Sequence, residues 1–378
     1  MKRESAVKAV GVLVLVAFLA LSAEGFAFLL GKLRPAVFDH RDAYFAKVDA
    51  KSYEAFVAGS YHPVLGWHPL PNTKRTNQAC YGAWEVTRDA NAARLTGNGE
   101  PAPVQVLTVG DSFTHGDEVN DLETYSARLQ HHSGLPVANH GVGGYGPVQS
   151  LHQLKLKADV YPELRTVVFG VMHENIRRMA NAFRPVYIRK ASILYGFKPY
   201  WKDGELHPVM NTPQPRSYEA MLELADEAFD SDYWAKPRFR FPYSIAAAKA
   251  LLSRRTYDQI ELPWAAPTET LTTRTLRDDE LREGLFQVME EAARFAASRD
   301  LHLVVALIPQ NAETRSAGAI IAPALAQRLE KHGAVVVDIG AQDLDWDAYA
   351  RKGCHPSAAG NDMLARAILP AIEAGRPQ

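Results

Sequence analysis

A serine hydroxyl is a weak nucleophile until a base removes its proton. A catalytic serine therefore needs a histidine and donors for the oxygen that becomes negative. The chain offers such a set in one order. Ser112 stands in Gly110-Asp111-Ser112, directly after an apolar run. Asn139–Gly146 follows, with glycines at 141, 143, 144 and 146. Such a stretch can turn sharply and aim backbone N–H groups at a substrate oxygen. Asn175 ends the string Gly170-Val171-Met172-His173-Glu174-Asn175, and its side-chain amide can donate to the same oxygen. His355 precedes Pro356 near the end of the chain and is the candidate base. A serine, two kinds of oxyanion donor and a histidine are what acyl transfer through a tetrahedral intermediate requires. Asp111 is expected to bond backbone N–H groups and hold the serine turn. His115, His140 and His173 are expected to be structural or to touch substrate rather than to catalyse.

These residues need a frame, and the apolar runs supply one. Val104–Val109, Val137–Asn139, Thr166–Val171, Leu303–Ile308 and Val335–Ile339 read as short strands. Helical patterns lie between them at Leu122–His132 and Pro147–Lys157 and through Leu281, Leu285, Val288, Ala292 and Phe295, with a last helix over Ala358–Ala374. The alternation predicts an α/β fold, with a parallel five-stranded sheet covered on both faces. Chemistry in such sheets gathers beyond the C-terminal strand ends, where Ser112, Asn139–Gly146 and Asn175 all fall. Arg184–Asp278 breaks the alternation and reads as a long insertion between strands 3 and 4, its aromatic residues expected to be core. Tyr61–Asn72, dense in Pro, Gly and aromatics, reads as an ordered loop packed on a core.

A formal net charge of -1 without a basic block gives nucleic-acid binding little support. The two cysteines, Cys80 and Cys354, lack zinc-site spacing, so no metal is expected. They could bridge or remain two buried thiols. Lys2, Arg3 and Lys8 precede Ala9–Gly31, an apolar run interrupted by Glu24. It is long enough to cross a bilayer, which takes about 20 residues. The flanking cations predict an N-in, C-out orientation. A cleaved signal peptide is the alternative, with small residues at Ala20-Leu21-Ser22 and Gly25-Phe26-Ala27. The run outlasts a usual signal core, which favours the anchor. Either way, the bulk of the chain is expected outside the cytoplasm. The organisation expected is an anchor or signal over 1–33, a neck and pre-sheet segment over 34–103, and one α/β domain over 104–378.

The ordered set over roughly residues 104–375 resembles the SGNH, or GDSL-like, hydrolase superfamily. The resemblance implies a three-layer α/β/α flavodoxin-like fold. It also implies a serine esterase that works through an acyl-serine and needs no cofactor. By this likeness Ser112 is the nucleophile and its own N–H joins the oxyanion hole. Gly144 gives a second backbone N–H, Asn175 gives its amide, and His355 is the base. Gly66-Trp67 looks like the lead-in of exported, anchored members. Family members act on acyl esters, often of cell-wall or extracellular polysaccharides, by hydrolysis or by O-acyl transfer. The third block, Met-His-Glu-Asn-Ile, departs from the usual Gly-x-Asn-Asp. Lys352 occupies the position, three before the histidine, where the family has its acid. Asp343, Asp345 or Asp347 would have to substitute, Asp347 being nearest, or a Ser–His dyad operates. An anchored glycan-binding or assembly protein without turnover is the alternative that Lys352 favours.

Overall fold

The computed structural model describes residues 2–97, 102–189, 193–210, 216–253 and 271–375, with side chains from residue 8. Within it the five apolar runs form one sheet. Taken in chain order, the strands are Val106–Val109, Val137–Asn139, Thr166–Met172, His302–Ile308 and Val335–Asp338. Their spatial order is 2-1-3-4-5 and every pairing is parallel. This is the flavodoxin-like order, with its topological switch between strands 1 and 3.

Alternation along each strand splits the core in two. Leu107, Val109, Val167, Phe169, Leu303, Val305 and Leu307 face one way, toward helices Pro147–Lys157, Asp279–Ser298 and Gly318–Glu330. Val106, Val168, Val304, Ala306 and Ile308 face the other, toward Tyr125–Ser133 and Ala358–Ala374. Both faces are therefore dry, which is why the central strands read as continuous apolar runs rather than alternating ones. The flanking helices start where side chains can cap them. Thr124 accepts from Ala127 N, Asp278 from Leu281 N and Ser357 from Gly360 N.

Residues 190–192, 211–215 and 254–270 of the expected insertion lie outside the described residues. In the rest, Tyr195, Phe197, Trp201, Tyr233 and Trp234 are buried. They join the first core cluster, and Asp232 fastens the segment by accepting from the backbones of Ala182, Phe183 and Trp234. Tyr61–His62 and Gly66–Trp67 pair as a tight antiparallel turn, with Leu65 and Trp67 buried beside Val142 and Tyr145.

Helix Lys2–Leu33 stands apart from this body. Lys8–Leu33 is 26 residues long and holds an 18-residue stretch with a mean hydropathy of 2.4, enough by length and composition to cross a membrane. Its far end packs on helix Tyr243–Leu252. There Glu24 accepts from Tyr243 N at 2.6 Å, from Ser244 N and from Ser244 Oγ. A carboxylate from another helix thus fills the N-cap role that Pro242 cannot.

Candidate active site

The serine turn is built by close packing at the end of the first strand. A Cβ on Gly110 would strike Thr114 and come within 2.9 Å of the Gly170 carbonyl, so only glycine lets the strand pass there. Asp111 then caps the short helix Ser112–His115, its Oδ1 accepting from Phe113 N at 3.0 Å. Its other oxygen accepts from Arg178 Nη1 at 3.3 Å.

Loops from the second and third strands close on this turn. Val142 N donates to Gly110 O at 3.1 Å and Asn139 Nδ2 to Thr114 O at 2.9 Å. Gly144 has φ +84°, and a Cβ there would lie 2.9 Å from the Arg184 guanidinium carbon. Arg184 Nη1 donates to Gly144 O at 3.0 Å and so holds that peptide. Burial lowers the Arg184 pKa to about 10. Asn175 opens a short helix directly after the third strand and is 2% exposed. Its side chain reaches Asp111, while its Oδ1 carries no partner. One turn on, Arg178 joins the pieces by donating both to Asp111 and to Tyr145 O, the latter at 3.3 Å.

His355 arrives from the opposite end of the chain. Its Nε2 lies 3.0 Å from Ser112 Oγ, and its Nδ1 lies 2.9 Å from Glu118 Oε1. Glu118 Oε2 also accepts from His355 N at 3.3 Å. The acid against the histidine is therefore Glu118 and not Asp347. Asp345 is occupied in capping helix Trp346–Tyr349, accepting from Asp347 N and Ala348 N. Asp343, Asp345 and Asp347 are all exposed. Lys352 turns outward to Glu313 Oε1 at 3.3 Å and leaves the imidazole alone. Glu118 sits six residues past Ser112 at φ +74°, a left-handed conformation uncommon for a side chain of this kind. The detectable signal was an acidic pair, Asp117-Glu118, within the serine segment itself.

Asp117 adds a second carboxylate. It pairs with His115 Nδ1 at 2.6 Å, stands 4.0 Å from His355 Nε2, and faces Gly143. His115 Nε2 meets Arg88 Nη2 at 2.8 Å. His140 is buried on Tyr161 Oη at 2.7 Å, and His173 on Thr314 O at 3.2 Å. Among the described contacts, neither ring reaches Ser112 or His355.

Part of the pre-sheet segment closes over the histidine. Strands Lys74–Ala79 and Gly82–Thr87 form a hairpin whose tip is bonded to the His355 loop. Cys80 and Cys354 form a disulfide, and Tyr81 Oη donates to His355 O at 2.9 Å. The two sulfurs lie near Glu118 but are consumed in the bridge, leaving no thiolate there for a metal. A cavity of about 500 Å³ adjoins the glycine loop at Val142 and Gly143, with Phe56, Trp67, His68 and Tyr195 in its walls.

No protein-family model matches the chain, and no curated protein matches it. Among solved structures it is similar to TesA, at 13% identity over 72% of this chain and 99% of that one, with a TM-score of 0.38. It is similar to a member of the lipolytic protein G-D-S-L family from Veillonella parvula DSM 2008, at 11% identity over 71% and 97%, with a TM-score of 0.33. It is also similar to AlinE4, an SGNH-hydrolase family esterase, at 15% identity over 74% and 100%, with a TM-score of 0.32.

Proposed function

We propose that the chain is a serine esterase that works through an acyl-Ser112 intermediate. One observation carries the reading: a continuous path from Ser112 Oγ through both His355 nitrogens to Glu118. In this mechanism His355 Nε2 takes the serine proton as Oγ attacks the ester carbonyl. Glu118 holds the Nδ1–H tautomer and offsets the imidazolium charge. The backbone N–H groups of Ser112 and Gly144, with the Asn175 amide, take the developing oxyanion. His355 then returns the proton to the leaving alcohol. Water, or an acceptor hydroxyl in a transferase, completes the second half.

The substrate we propose is an acyl ester, with O-acylated polysaccharide as its finer form. The cavity beside Gly143 supports this, since it sets Phe56, Trp67 and Tyr195 among Ser52, Ser60 and His68. The acid at His355 weighs against a binding protein without turnover. A fluorophosphonate probe should label the wild-type chain and spare Ser112→Ala. Equal labelling of both would remove Ser112 from the chemistry.

The Lys8–Leu33 helix is proposed to remain as a membrane anchor, with the α/β domain on the far side of the membrane from the cytoplasm. Supporting retention, cleavage after Ala27 would remove Glu24 and its cap on helix Tyr243–Leu252, and cleavage after Ser22 would leave that cap two residues from a free N-terminus.

A further inference from the structure

We infer that helix Tyr243–Leu252, with Phe241 before it, is a second lipid-contacting element. It would lie in the outer interface of the bilayer that Lys8–Leu33 crosses, and fix which wall of the domain faces the membrane. The inference rests on reading Lys8–Leu33 as an uncleaved anchor.

Depth along the anchor is the first argument. Residues 8–23 are exposed on every side, a rise of only about 24 Å, whereas the hydrocarbon layer is about 30 Å thick. Counting about 20 residues from Ala9 brings the outer edge of that layer to Phe28. The domain touches the helix from Glu24 to Gly31, a stretch that brackets that level. The Phe28 ring lies 5.1 Å from Tyr243 and 6.0 Å from Phe239, and Phe241 lies 6.1 Å from Tyr243. An aromatic cluster at the edge of the hydrocarbon is where interfacial side chains are favoured.

The second argument is which side chains face out. Ala246, Ala247 and Ala250 are the buried face of the helix. Its large residues point away from the protein, with Ile245 53%, Leu251 55% and Leu252 86% exposed, and Phe241 70% exposed ahead of them. A helix covering a water-soluble core has the reverse arrangement. The exposed apolar side chains lie beside an apolar span, so one lipid phase can cover both. Lys249 is exposed on the same helix and its stem is long enough to carry the charge to the headgroups.

Charge and capping agree with this placement. Lys32 stands over the Phe28 ring at 5.5 Å, and Arg34 and Arg240 are exposed nearby in the chain, cations that suit anionic headgroups. Glu24 would be costly in lipid without partners. Its bonds to Tyr243 N, Ser244 N and Ser244 Oγ satisfy it and lock the two helices together. The same wall leads to the oxyanion loop. Arg189 donates to Pro35 O at 3.0 Å, His40 Nε2 meets Pro185 O at 2.7 Å, and Arg184 holds Gly144. Seating the helix thus also sets the height of the site above the lipid.

The test uses the full-length chain in phosphatidylcholine–phosphatidylglycerol vesicles. Because the native cysteines are bridged, a single new cysteine can carry an environment-sensitive nitrobenzoxadiazole label. Leu252→Cys and Phe241→Cys report the seat, Leu15→Cys the anchor, and Lys331→Cys, on an exposed side chain of the body, the aqueous reference. Labels at 252 and 241 should be quenched by a lipid carrying a shallow acyl-chain nitroxide at least twofold more than the label at 331, and shielded from iodide. Quenching at 252 and 241 no greater than at 331, with position 15 strongly quenched, overturns the seat and leaves the anchor standing. Shielding from iodide without lipid quenching also overturns it, because the helix is then covered by protein, such as a second copy. An unquenched position 15 removes the anchor and the seat together.

Discussion

Glu118 grips His355 twice, through Oε1 on the ring nitrogen at 2.9 Å and through Oε2 on the backbone N–H at 3.3 Å. The first contact orients the imidazole and the second holds its loop, so one side chain fixes both the ring and the backbone of His355.

Glu118→Gln should keep the fold and lower kcat on short-chain nitrophenyl esters by about two to four orders of magnitude, the range expected when a triad acid loses its charge. Asp347→Asn should change kcat by less than about twofold, as expected for an exposed surface residue. A silent Glu118→Gln would return the site to a Ser–His dyad. A large loss in Asp347→Asn would restore that residue as the acid.

The Cys80–Cys354 bridge spans 274 residues and ends next to His355. In the chain-entropy account a closed loop of that size stabilises by about 5 kcal/mol before any strain. Replacing both cysteines with alanine should lower the melting temperature. It should also reduce kcat more than KM changes, because the His355 loop loses its covalent tie to the hairpin and is left with hydrogen bonds such as those to Glu118 and Tyr81. Unchanged melting and turnover would show that the noncovalent contacts of the loop suffice.

Buried His173 should make the domain acid-sensitive. Burial holds its pKa at about 4, with the bond to Thr314 O opposing, against about 6.5 in an unfolded chain. As pH falls the unfolded state takes the proton first. Stability present above pH 6.5 is therefore lost between about 6.5 and 4 and changes no further below that. The loss from this one group is about 3 kcal/mol. Denaturant titrations at pH 7.5 and 4.5 should show a smaller acid loss in His173→Gln than in wild type. Equal losses would mean the ring is protonated in the folded state.

The orientation of the chain can be read in bacterial cells. Alkaline phosphatase fused after Gln378 should be active, and a fluorescent protein fused there through the same export route should be dark. The reverse pattern would put the α/β domain in the cytoplasm.

Much of the frame was legible because it is decided over a few residues at a time. Five runs of consecutive apolar residues mean strands dry on both faces, and the structure pairs those runs in parallel. Pro147–Lys157 and Ala358–Ala374 begin and end where their periodicity says. Gly110-Asp111-Ser112 directly after a buried strand puts the serine at a C-terminal strand end by local geometry alone. The partners of those groups were not legible, since they depend on where distant loops arrive. Glu118 meets His355 across 237 positions, and Glu24 meets Ser244 across 220. Counting back from the histidine reaches exposed aspartates, whereas the carboxylate that touches His355 comes from the serine loop. Lys352 occupies the expected position in sequence yet points at Glu313, since the turn with Gly353 at φ +81° sends neighbouring side chains different ways. Local propensity and burial set strands, helices and the serine turn. The charge pairs that complete the site exist only after the sheet order has brought one end of the chain against the other.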